Sequence, residues 1–128
     1  RESVDFNGNT GPFIQYTYAR IQSVMRKGAD TQRIQGNMQL NEKEIFLIRM
    51  MFEYPEVINE SSRTLNPSLI ANFLYELAKE FNQFYHDFSI LSAERMELVS
   101  QRLLLVEVIG QIIESGMGLL GIEVPERM

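Results

Sequence analysis

Phe13, Tyr16 and Arg20 are the residues whose types and spacing suggest chemistry first. At 100° per residue they fall within an arc of about 60° on a helix. Ile14, Tyr18, Ile21 and Met25 fall within a second arc of about 60° on another face. One apolar stripe is enough to seat a surface helix on a core. The other stripe therefore holds two aromatic rings and a planar cation beyond that need. Unpaired RNA bases stack on such faces, for about 1–3 kcal/mol per base, and the guanidinium also meets phosphate. The competing reading, which periodicity alone favours, is that the two rings only widen the core.

Other chemical signals are weaker. His86, the single histidine, lies beside Asp87, but a di-metal bundle needs two Glu-x-x-His motifs, and position 83 is Gln. A solvent-facing or capping role is expected for His86. Glu76/Glu80 and Glu94/Glu97 read as solvated faces and not as acid–base pairs. No Ser or Thr sits in a nucleophile elbow. Gly116-Met117-Gly118-Leu119-Leu120-Gly121 matches GxGxxG, but it ends a helix and no βαβ unit can follow, so it reads as a helix stop. Asn59-Glu60-Ser61 fits a glycosylation sequon without any secretory context. With no cysteine, disulfides and thiolate metal sites are excluded. No catalytic residue and no metal ligand is assigned.

Helices must position these residues, because apolar positions recur at three and four and not at two. After a polar lead-in over residues 1–10, a helix is expected from Gly11-Pro12, capped by Thr10 or Gly11, to Gly28. Gly36-Asn37 marks a turn. Asn41 with Glu44 three later resembles a capping box and opens a second helix. Ile45, Ile48 and Phe52 are its expected apolar face. Pro55 should break or bend it, with a shorter helix running to about Leu65. Asn66-Pro67 starts the next helix, which carries Leu69/Ile70, Phe73/Leu74, Leu77, Phe81 and Phe84/Tyr85. Ser92 is the expected cap of the last helix, whose buried face is Val99, Leu103, Val106, Ile109 and Ile113. Gly116, Gly118 and Gly121 should terminate it, leaving the tail 122–128. The resulting expectation is an all-α fold, an antiparallel bundle of four to five helices.

The chain is one domain's length, 128 residues, with 45% hydrophobic residues and 23% charged. Its net charge of −5 argues mildly against nucleic acid. The distribution softens that: residues 1–40 carry five basic and three acidic groups, and the remainder seven and fourteen. The N-terminal third is the electrostatically tolerable place for RNA. Apolar stretches such as Leu103-Leu104-Leu105-Val106 are far too short to span a membrane. No signal peptide is visible, so a cytoplasmic protein is expected. The first residue is Arg1 and not methionine, as expected of a piece of a longer chain.

The run Gly8-Asn9-Thr10-Gly11-Pro12-Phe13-Ile14-Gln15-Tyr16, then Ala19-Arg20, resembles the segment that opens the anticodon-binding domain of arginyl-tRNA synthetases, G-x-T-G-P-Y-x-Q-Y-A-H-x-R. Leu77-Ala78 with Phe81-Asn82-x-Phe84-Tyr85 is similar to that family's L-A-x-x-F-N-x-F-Y helix. Arg102-Leu103 and the end, Leu119-Leu120-Gly121-Ile122 then Pro125-Glu126-Arg127-Met128, also match in order. The resemblance covers essentially all of 1–128; the opening motif and the last four residues are its specific parts.

The resemblance implies a class I synthetase anticodon-binding domain, with residues 1–10 leading in from a catalytic core. It implies that Phe13, Tyr16 and Arg20 face the anticodon loop, that Tyr85 and Met128 complete the surface, and that Gln15 belongs to the same motif. The implied partners are the anticodon loop of tRNA(Arg) and the catalytic domain of the same chain, with no membrane and no DNA. The parent would be an arginine–tRNA ligase using ATP and Mg. This domain would need no cofactor and would be inactive alone, since H-I-G-H-like and K-M-S-K-S-like motifs are absent. Phe13 replaces the usual tyrosine, and Thr17-Tyr18 the usual Ala-His. Two alternatives stay open: a helical protein-interaction module without RNA, and the anticodon domain of another class I synthetase.

Overall fold

The computed structural model describes residues 10–35 and 39–128; the lead-in at 1–9 and the Gly36-Asn37 turn lie outside the described residues. Among the described residues four helices follow in order: α1 Thr10–Lys27, α2 Glu42–Thr64, α3 Ser68–Asp87 and α4 Met96–Leu119. No strand occurs among the described residues. α3 and α4 form the centre: α1 packs on both, and α2 packs on α3 and more lightly on α4.

Local chemistry sets most helix ends. Pro12 sits in the first turn of α1, where its missing N–H costs nothing. Arg26 and Lys27 in the last turn complement the helix dipole. The Asn41–Glu44 capping box is present in full: the Asn41 side chain accepts from the Glu44 N–H, and the Asn41 N–H donates to the Glu44 carboxylate at 2.8 Å. Asn66 Oδ1 accepts from the Ser68 N–H at 3.2 Å just ahead of α3, which begins at Ser68 with Pro67 at its N-cap, one residue later than expected. Leu65 closes α2 in the left-handed region at φ 53°, and its N–H and that of Asn66 return to the last carbonyls of the helix.

Four expectations need correction. Pro55 does not break α2, because the apolar positions Leu47, Met50, Tyr54, Val57 and Ile58 continue in one register across it. Burying that stripe on α3 outweighs the lost hydrogen bond, which costs about 3 kcal/mol. Of the expected face Ile45, Ile48 and Phe52, only Ile48 packs against the core; Ile45 is exposed, Phe52 is 80% exposed, and the buried stripe is centred on Leu47, Met50 and Tyr54. Tyr54 anchors that stripe by stacking on Phe73 at 5.8 Å and by its hydroxyl bond to Ser115 at 2.8 Å. Ser92 does not cap α4, which begins four residues later after Arg95 in extended conformation. Finally, α4 runs through Gly116 and Gly118 and stops only near Gly121, whose φ of 77° suits glycine.

Gly116 has a packing role. A Cβ there would lie 2.7 Å from the Leu74 Cδ1 atom, and Leu74 is fully buried. Gly116→Ala should therefore destabilise by about 1–3 kcal/mol through overpacking between α3 and α4. A denaturant midpoint unchanged or raised in G116A would refute this close approach.

The α4 face Val99, Leu103, Val106, Ile109 and Ile113 is buried as expected, together with Ile14, Tyr18 and Ile21 of α1 and Phe81 and Phe84 of α3. Each fully buried large side chain contributes about 1.5–3 kcal/mol. This core holds one edge of α1 and the C-terminal end of α3 side by side, and the open face between them is the candidate site.

Candidate nucleic-acid interface

Residues 16, 20, 23 and 27 recur at four, three and four, so they line one edge of α1. That edge, the end of α3 at Tyr85, the connection 88–91 and the tail residues Arg127 and Met128 enclose a groove of about 830 Å³. Among the described residues its lining contains four cations, Arg20, Arg26, Lys27 and Arg127, and no Asp or Glu. In a chain of net charge −5, the described lining of this groove is positive.

Arg20 is the centre of the groove. Its guanidinium carbon stands 4.5 Å from the Tyr85 ring centroid and 5.4 Å from that of Tyr16. Each such contact is worth about 0.5–2 kcal/mol. Its Nη1 donates to Asn82 Oδ1 at 2.5 Å. Asn82 is held in turn, because its amide donates to Thr17 Oγ1 and to the Ala78 carbonyl, both at 2.8 Å. Thr17 Oγ1 donates to the Phe13 carbonyl at 2.9 Å. A half-buried polar chain thereby fixes one edge of the guanidinium and leaves the planar cation flanked by two exposed rings.

Four of the six residues named from the sequence, Tyr16, Arg20, Tyr85 and Met128, line this groove together. Phe13 does not. It is half-buried with its ring 5.6 Å from that of Tyr75 and packs against the core. Gln15 does not line it either; its side-chain amide donates to the Glu123 carbonyl at 2.9 Å. Thr17 and Tyr18, which with Phe13 depart from the motif, point into the bundle. Burial, and then the nearby carboxylates of Glu114 and Glu126, push the Tyr18 hydroxyl above its ordinary pKa.

Sequence reasoning missed Asn82, Phe88, Arg26, Lys27 and Arg127. Lys27 was reachable, since it follows Arg20 at seven on the same helix edge. Phe88 was not, because a loop places it. Its ring meets the Arg102 guanidinium at 5.4 Å, and Arg102 also donates to the Ser89 carbonyl at 2.5 Å and to Glu44 at 3.1 Å. The wall of the groove thus rests on a buried ion pair. His86 is exposed, and no group of three or more His, Asp or Glu able to hold a metal occurs among the described residues. No described helix is long and apolar enough to cross a membrane.

Residues 14–128 match the sequence model of the family described as DALR anticodon binding domain. The arginine–tRNA ligase of Parabacteroides distasonis is 53% identical over the whole of this chain, which spans 22% of that protein. That of Flavobacterium psychrophilum is 48% identical over 99% of this chain, and 21% of it is covered. The chain therefore spans about a fifth of the length of the curated relatives it matches. Among solved structures, Thermus thermophilus arginyl-tRNA synthetase superposes with a TM-score of 0.85 at 30% identity, over 97% of this chain and 22% of that one.

Proposed function

We propose, given that this chain belongs to the DALR anticodon binding domain family, that its cationic groove binds the anticodon loop of arginine tRNA as part of an arginine–tRNA ligase. The observation that carries this reading is Arg20 held between the rings of Tyr16 and Tyr85 in a groove lined by cations alone among its charged groups. The names of the relatives support arginine tRNA over the tRNAs of other class I enzymes.

In this mechanism the loop unstacks, and its bases settle on Tyr16, Tyr85 and the Arg20 plane. Arg26, Lys27 and Arg127 meet the phosphates between them. Arginine anticodons share a central cytosine, so its polar edge is the one read. A wrong base leaves buried polar groups unpaired, at about 1–3 kcal/mol per group. Met128 supplies an adaptable apolar contact. Phe13 supports the rear of α1 and does not stack on RNA. Attachment of arginine with ATP and Mg belongs to the catalytic domain of the parent, in the cytoplasm. Nothing among the described residues fits those groups, since no acidic cluster could hold Mg and Gly116–Gly121 ends a helix.

The test is a titration with an arginine anticodon stem-loop at two salt concentrations, beside a loop whose central cytosine is changed. Binding is expected in the range of about 10⁻⁴–10⁻⁶ M, with a preference for cytosine that survives the higher salt. Equal, salt-labile binding of both loops would refute base reading by this groove.

A further inference from the structure

The tail crosses α1 outside any regular element, yet it is tied down along its length. Gly121 turns the chain, and the Ile122 N–H returns to the Met117 carbonyl at 2.9 Å. Ile122 and Val124 pack against the core. Gln15 then donates to the Glu123 carbonyl at 2.9 Å, and Arg26 donates to the Glu126 carbonyl at 3.1 Å. Gln15 and Arg26 are eleven positions apart, three turns, and so lie on one face of α1. Between them they lead the tail toward the end of α1, where Arg127 and Met128 join the groove.

We infer that Gln15 and Arg26 are strap residues, and that Gln15 is a positioning residue which acts on RNA only by holding the tail that delivers Arg127 and Met128. The inference rests on the groove being the RNA site. Gln15 sits in the motif beside Tyr16, yet its amide is spent on a backbone carbonyl 108 residues away. That carbonyl can accept from any donor of the right length. Such a bond holds the path of the tail while leaving its side chains free, which suits a segment whose last two residues must face a ligand.

Gln15→Leu keeps the bulk and removes the donor. In the free chain, backbone ¹⁵N order parameters from Glu123 onward should fall below about 0.6, with those of α1 unchanged. Affinity for the cytosine stem-loop should fall about fivefold. In a variant ending at Val124, which keeps the core contacts of Ile122 and Val124, Q15L should cost nothing further. Gln15→Glu, which sets a carboxylate against the carbonyl, should exceed Q15L in both measurements.

Unchanged tail order parameters in Q15L and Q15E would overturn the strap. Equal loss of affinity in the full and shortened chains would overturn the positioning role and place Gln15 on the RNA itself. The order-parameter arm uses no RNA. A wild-type chain with no cytosine preference would refute the proposed function and the RNA-facing half of this inference, while the tail's order parameters still decide the strap.

Discussion

Arg20→Ala is expected to weaken binding of the cytosine stem-loop by about tenfold to a hundredfold. It removes the planar surface between Tyr16 and Tyr85 and one of four groove cations at once. The fold should survive, because Arg20 is only half-buried and Asn82 keeps its bonds to Thr17 and Ala78. Arg20→Lys separates the two contributions. An ammonium retains the charge but offers no plane for a base and no fork to share between Asn82 and a ligand. R20K should therefore recover the salt-sensitive part of the affinity, while discrimination between the cytosine loop and the altered loop collapses toward unity. Full affinity in R20A, or a wild-type discrimination ratio in R20K, would remove Arg20 from the centre of the site.

Glu44→Ala should be the most destabilising single change at a polar side chain, costing about 3–5 kcal/mol. Glu44 is 1% exposed and does two jobs. One carboxylate oxygen accepts from the Asn41 N–H and closes the capping box, and the other accepts from Arg102 Nε at 3.1 Å. Its removal leaves the buried Arg102 guanidinium with only the Ser89 carbonyl and the rings of Phe84 and Phe88. The surface pairs Arg63–Glu60 and Lys79–Glu76 are the controls, and their loss should leave stability almost unchanged, because solvent screens them. Glu44→Gln keeps an acceptor for the cap and loses the charge, so it should fall between wild type and E44A. Joint replacement by Glu44→Leu and Arg102→Met should be milder than E44A alone, since no charge is stranded. Denaturant unfolding measures all of these; an E44A cost no larger than that of the surface pairs would refute the buried-pair account. Because Arg102 holds Phe88 and Ser89 in the groove wall, E44A should also loosen stem-loop binding.

Where a residue's role depends on its immediate neighbours, it was legible in the chain. The Asn41–Glu44 box and the Asn66-Pro67 start act across three residues, so their residue types suffice. The buried face of α4 was legible because that helix lies at the centre and a single stripe dominates its packing. α2 was misread because it carries apolar residues on two faces, and only the partner helix decides between them: Leu47, Met50 and Tyr54 won, and Phe52 was left in solvent. Pro55 was misread for the same reason. A local rule about one hydrogen bond lost to a stripe that continues on both sides of it.

The site divides along the same line. The sequence alone determined that α1 carries a second stripe, with Tyr16 and Arg20 on it, because helical periodicity places them without reference to anything else. Only the tertiary structure decided that Phe13, at the edge of that stripe, turns toward Tyr75 while Tyr85 and Met128 come to face Arg20. It also decided that Asn82 seats the guanidinium and that Gln15 holds the tail. Those contacts join residues 62 and 108 positions apart. Their geometry is set by how α3 and the tail pack on α1, and no local propensity encodes that.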